Sequence, residues 1–132
     1  MGPHPSVFMS FAWVDRELAD QVTKSLNDAG LTVNRPDTEL RAGDRWAEAV
    51  KSALTDSDLM VFIVPPEGAA GSNNVFFEAG VAEGLKKPVV AVVKNPSDIQ
   101  NIRSVPFVSA QDMSGLIRQV HATLNETSVI EN

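Results

Sequence analysis

The sequence predicts an α/β fold: a five-stranded parallel sheet in the order 2-1-3-4-5 with helices on both faces. Three observations carry that expectation. Two apolar runs, residues 59–64 and 89–93, show no alternation of polar positions, as expected for parallel strands covered on both sides. Segments of helical periodicity alternate with strand-like runs along the chain, the pattern of βαβ units with right-handed crossovers. The second strand-like run, Leu31-Thr32-Val33, is short and keeps a polar position, which suits a sheet edge. Together these give a flavodoxin-like three-layer sandwich with a topological switch point between strands 1 and 3.

Each element has a local reason. Val7-Phe8-Met9-Ser10-Phe11 is the first strand. Leu18, Val22, Leu26 and Ala29 recur at helical spacing from Asp15 onward, and Gly30 supplies the stop. Residues 35–43, from Arg35 to Gly43, are polar with a Pro and a Gly, and form a loop. Asp44 is placed to cap a helix carrying Trp46, Val50, Ala53 and Leu54. Strand 3 is followed by a Pro/Gly loop and then by a helix that starts near Ser72 and ends near Lys86-Lys87-Pro88. Pro106-Phe107-Val108 offers a short fifth strand. Met113, Ile117, Val120 and Leu124 make the apolar face of a last helix.

At 132 residues the chain suits one domain, spanning about 6–125 between tails at 1–5 and 126–132. The net charge of −6 and the lack of any basic cluster argue against a partner that is tracked through its phosphates. There is no cysteine, which removes disulfides, thiol nucleophiles and Cys-ligated zinc. No apolar run approaches the roughly 20 residues that span a bilayer. The N-terminal residues show no basic stretch followed by an apolar one, so a cytoplasmic location is expected, without membrane or nucleic-acid partners.

The loops expected to meet at the switch point are 10–14, 35–43 and 65–74. Behind the third, Glu78 falls on the helical stripe of Val75, Ala82 and Leu85 that should face the protein. A carboxylate beside such a stripe is costly unless paired, hydrogen-bonded or protonated. It is the candidate catalytic residue.

Several chemistries fail on the residues present. Strand 3 ends Val64-Pro65-Pro66, without the aspartate of a phospho-receiver. The first loop, Phe11-Ala12-Trp13-Val14, is too apolar to hold a flavin phosphate. No glycine-rich dinucleotide fingerprint or P-loop occurs. His4 and His121 give no metal spacing and no triad, so no metal is expected. One carboxylate with aromatic neighbours does suit cleavage of a ribosyl–base N-glycosidic bond. Its transition state resembles an oxocarbenium ion, which a negative charge stabilises. Nicotinamide would leave neutral from a cationic pyridinium, so no general acid is needed.

At this point a resemblance becomes specific. Met9-Ser10-Phe11 resembles the first strand end of Toll/interleukin-1 receptor (TIR) domains. The run Asp37-Thr38-Glu39-Leu40-Arg41-Ala42-Gly43-Asp44-Arg45-Trp46 resembles the BB loop of bacterial members. Ala53-Leu54 to Ser57-Asp58 and Gly84-Leu85-Lys86-Lys87-Pro88-Val89 are also similar, in the right order, over about residues 6–125. The resemblance implies that Glu78 occupies the place of the NAD-cleaving glutamate. It departs where Asn74 stands for the family's Trp and Ala42 for its Pro. The Asn-Val-x-Phe-Glu-x-Gly form is also similar to a nucleotide-binding TIR-like subgroup and to nucleoside deoxyribosyltransferases.

The implied function is a NAD glycohydrolase or ADP-ribosyl cyclase in immune or defence signalling, with NAD as substrate, no cofactor, and self-association through the 35–43 loop. The alternatives are a non-catalytic TIR interaction module and a nucleoside- or nucleotide-processing domain. Phe11, Trp13, Asp37, Trp46, Ser72 and Asn74 are the candidate substrate contacts. Phe11 and Trp46 also suit the core and Ser72 or Asn74 a helix cap, while Glu78 itself has the plain alternatives of capping or of pairing with Arg41 or Arg45. Gly80 and Gly84, four apart, are expected to permit close packing of their helix.

Overall fold

The unbroken apolar runs lie where both sides of a sheet are covered. The computed structural model describes residues 5–35, 46–102 and 105–131. The strands are β1 (Ser6–Ser10), β2 (Thr32–Asn34), β3 (Leu59–Ile63), β4 (Val89–Val93) and β5 (Phe107–Ser109). They form one sheet in the order β2-β1-β3-β4-β5, and every pair is parallel. All residues of β3 and β4 are buried, while β5 at one edge carries exposed positions.

Side-chain alternation sorts these strands between two cores. Val7, Met9, Val61, Ile63, Val90 and Val92 point to one side, where they pack with α1 (Arg16–Asp28) and α4 (Met113–Glu131). Phe8, Met60, Phe62, Val64, Ala91 and Val93 point to the other, against α2 (Trp46–Thr55) and α3 (Ser72–Gly84). Fully burying each of the large side chains contributes roughly 1.5–3 kcal/mol. Together they account for most of the driving force for folding.

The expected fold is therefore the observed one, with strand limits moved by about a residue. Gly30 lies at φ 90° behind α1, a left-handed stop that suits glycine. Three features differ from expectation. The helix α4 continues to Glu131, so most of the stretch 126–132, expected as a frayed tail, is helical. A 3-10 segment at Pro96–Asn101 is held by a reciprocal cap between Asn95 and Asp98. Gly80 and Gly84 permit no close approach, since a Cβ at either would meet nothing within 4 Å. Asp44, Arg41 and Arg45 lie outside the described residues.

Candidate active site

The chain leaves β3 through Val64-Pro65-Pro66 and turns at Gly68, whose φ is 79°. It enters α3 through Gly71, which takes the N-cap position at φ 84° without a side-chain cap. Neither Ser72 nor Asn74 caps the helix. Both already lie inside its first turn, Ser72 half-buried and Asn74 exposed. The left-handed turn at Gly71 takes the place that sequence alone assigned to a polar cap.

The face that α3 turns inward is Val75, Glu78 and Ala82. Its outward positions include Phe76 and Phe77, 39% and 45% exposed, with Phe76 edge-on to Phe62 at 6.4 Å between ring centres. A helix with two phenylalanines partly in water and a carboxylate 6% exposed has its polarity inverted. Stability alone would favour the opposite arrangement.

Opposite Glu78 stands Ser10, the last residue of β1 and 2% exposed. The alternation that sends Phe8 toward α3 sends Ser10 there too, in register with Phe62 of β3. Its hydroxyl donates a hydrogen bond to Oε1 of Glu78. Burial pushes the Glu78 carboxyl up from 4.5 to about 7, and the Ser10 hydrogen bond partly opposes that rise. Among the described residues no cation pairs with this carboxylate.

The other predicted contacts spread along the carboxyl edge of the sheet. Phe11 packs against the α1/α4 core, on the other layer from Glu78, with the Arg35 guanidinium 4.7 Å above its ring. Arg35 also pairs with Asp20 at 2.7 Å. Trp13 is 57% exposed, and the Arg16 guanidinium lies 4.9 Å over its ring. Trp46 opens α2. Its side chain is outside the described detail, as are Asp37 and all but Arg35 of the 35–43 loop.

Sequence reasoning did not single out Ser10, Asp15 or Lys94. Asp15 is 7% exposed, and the Lys94 ammonium, just past β4, donates to its Oδ1 at 2.6 Å. The signal for Ser10 was available: it is a hydroxyl at the alternation position of a strand whose matching neighbour is Phe8. Among the described residues no cluster of His, Asp and Glu could hold a metal ion. None of their helices is long and apolar enough to cross a membrane.

A family model described as the TIR domain matches residues 7–121. The chain belongs to the TIR domain family. No curated protein sequence matches this TIR domain significantly. Solved structures do share its fold. The TIR domain of a Toll-related receptor from Hydra magnipapillata is 16% identical, with a TM-score of 0.59 over 90% of this chain and 97% of that one. The TIR domains of the activated Roq1 resistosome are 19% identical, with a TM-score of 0.56 over 96% and 77%. A CMP N-glycosidase from Clostridium botulinum is 13% identical, with a TM-score of 0.59 over 89% and 98%. At these identities the likeness is one of fold.

Proposed function

We propose that this TIR domain cleaves the nicotinamide–ribose bond of NAD, as a glycohydrolase or an ADP-ribosyl cyclase. The observation that carries the reading is Glu78, a carboxylate buried behind the switch point with a hydroxyl for a partner and no cation paired to it among the described residues. A carboxylate enclosed on the apolar face of a helix costs the fold stability once it ionises. One kept for a developing positive charge needs its field left uncancelled.

In the hydrolytic case the bond between ribose C1′ and the pyridinium nitrogen breaks, and its electron pair leaves with nicotinamide. The ribosyl cation forms against ionised Glu78. Water then adds to C1′ and loses a proton, giving ADP-ribose. For cyclisation a ring nitrogen of the adenine takes the place of water. NAD enters as substrate, and no cofactor is called for.

The likeness in fold to a CMP N-glycosidase supports the bond class and favours a second reading, in which the base is that of another nucleotide. The test is to incubate the protein at high concentration with NAD, and separately with CMP, and to separate the products by chromatography. Release of nicotinamide supports the first reading and free cytosine the second. Neither product, even in a concentrated sample, points to a non-catalytic interaction module.

A further inference from the structure

We infer that Ser10 is the positioning residue of this site: it fixes one oxygen of Glu78 and leaves the other for substrate. The inference rests on the N-glycosidic reading of Glu78 and goes beyond it by assigning its two oxygens different tasks.

The geometry is specific. Ser10 ends β1, and its position there is fixed by the pairing Ser10↔Phe62. Both partners of the hydrogen bond are nearly enclosed, 2% and 6% exposed, so little water competes for either. Oε1 accepts from the hydroxyl, while Oε2 has no hydrogen-bond partner among the described residues. A carboxylate held at one oxygen keeps its plane and cannot rotate freely about its last bond. Oε2 is then the atom presented to the ribosyl carbon and its neighbouring hydroxyls.

The surroundings make the hydroxyl decisive. The strands β1, β3 and β4 contain no charged residue. The described charges on α2 are Glu48 and Lys51, both exposed, and α3 adds only Glu83, also exposed. Ser10 is thus the polar group among the described residues that touches the carboxylate. Hydroxyl donation to a charged oxygen is stronger than to a neutral one, so the contact favours ionisation against the effect of burial.

The test compares wild type, Ser10→Ala and Ser10→Thr as full chains, first by following the Glu78 side-chain carbon in an NMR pH titration. Ser10→Ala should titrate at higher pH than wild type, and Ser10→Thr, which keeps the hydroxyl, should restore the midpoint. With NAD as substrate, kcat of Ser10→Ala should fall roughly tenfold at pH 6.5 but less than about threefold at pH 9, with KM little changed. A titration midpoint and rate profile that coincide with wild type overturn the assignment. If wild type leaves NAD intact while the midpoint still moves in Ser10→Ala, the proposed reaction fails and the Ser10–Glu78 coupling stands. A midpoint that stays put in a variant of an active enzyme sinks Ser10 alone.

Discussion

Asp15 and Glu78 are both nearly enclosed, and both lie past the end of a strand in the same sheet. Asp15 is held by the Lys94 ammonium, with 23% of the lysine side chain exposed. Glu78 is held by a hydroxyl, and burial raises its carboxyl to about 7. The pair ties the turn after β1 to the end of β4 and leaves no net charge. The second arrangement leaves, among the described residues, a charge without a counter-charge whenever Glu78 ionises. Two buried acids of one fold thus differ in partner, an ammonium for Asp15 and a hydroxyl for Glu78.

The sharpest way to break the comparison is to remove the Glu78 charge. Glu78→Gln should lower NAD cleavage by on the order of 10²–10³-fold, the scale of losing one preorganised electrostatic group. The folded protein should become more stable, in a pH window whose sign is fixed. Because folding raises this carboxyl, the unfolded chain ionises first, and wild type loses stability from about pH 4.5 to about pH 7. The loss is complete above that window and absent below it. Glu78→Gln should therefore match wild type near pH 4 and exceed it at pH 8 by up to about 3 kcal/mol, read from urea unfolding. A variant that unfolds, or that still cleaves NAD, would make Glu78 structural.

A rate profile provides a second handle. In the proposed reaction the ionised form is the active one, so kcat should rise with pH through about 7 and level off above it. At pH 6 it should be roughly tenfold below its plateau. A profile flat from pH 5 to 8 would mean that the carboxyl carries its charge throughout and that Ser10 or a further group outweighs burial.

Removing the cation from the other acid should act on stability rather than chemistry. Lys94→Met leaves Asp15 buried without its ammonium, and should cost about 2 kcal/mol, discounted because Lys94 is partly exposed. A drop in Tm with Glu78 titrating as in wild type is the expected outcome. An unchanged Tm would show that Asp15 finds another partner. The smallest effect is expected at Gly80, exposed in the middle of α3 with open space around its Cα. Gly80→Ala should stabilise the helix by about 0.5–1 kcal/mol with no loss of activity. A loss would mean that this face is covered when the enzyme works.

The sheet was legible because burial on both sides removes polar positions, and 59–64 and 89–93 have none. Glu78 was legible because its helical neighbours Val75 and Ala82 are apolar. The cap was misread because Ser72 suits an N-cap by composition, while Gly71 reaches a backbone conformation that composition does not report. The Asp15–Lys94 pair was hidden for a different reason. Its partners are 79 residues apart, and no local pattern links them. Phe11 remained ambiguous until the layers were known, since a ring at a strand end fits either a core or a ligand.

The contact between Ser10 and Glu78 joins residues 68 apart, one ending the first strand and the other inside the third helix. It exists only when β1 lies beside β3 in the correct register and α3 has settled on them. A slip of β1 by a single residue would turn Ser10 to the opposite face and bring a methionine or a phenylalanine to Glu78, while leaving helix content almost unchanged. Spectroscopic helicity would then report a folded chain that lacks the Ser10–Glu78 contact. In a refolding experiment, recovery of the Glu78 titration serves as a proofreading signal, since it requires the strand alignment on which the rest of the sheet depends.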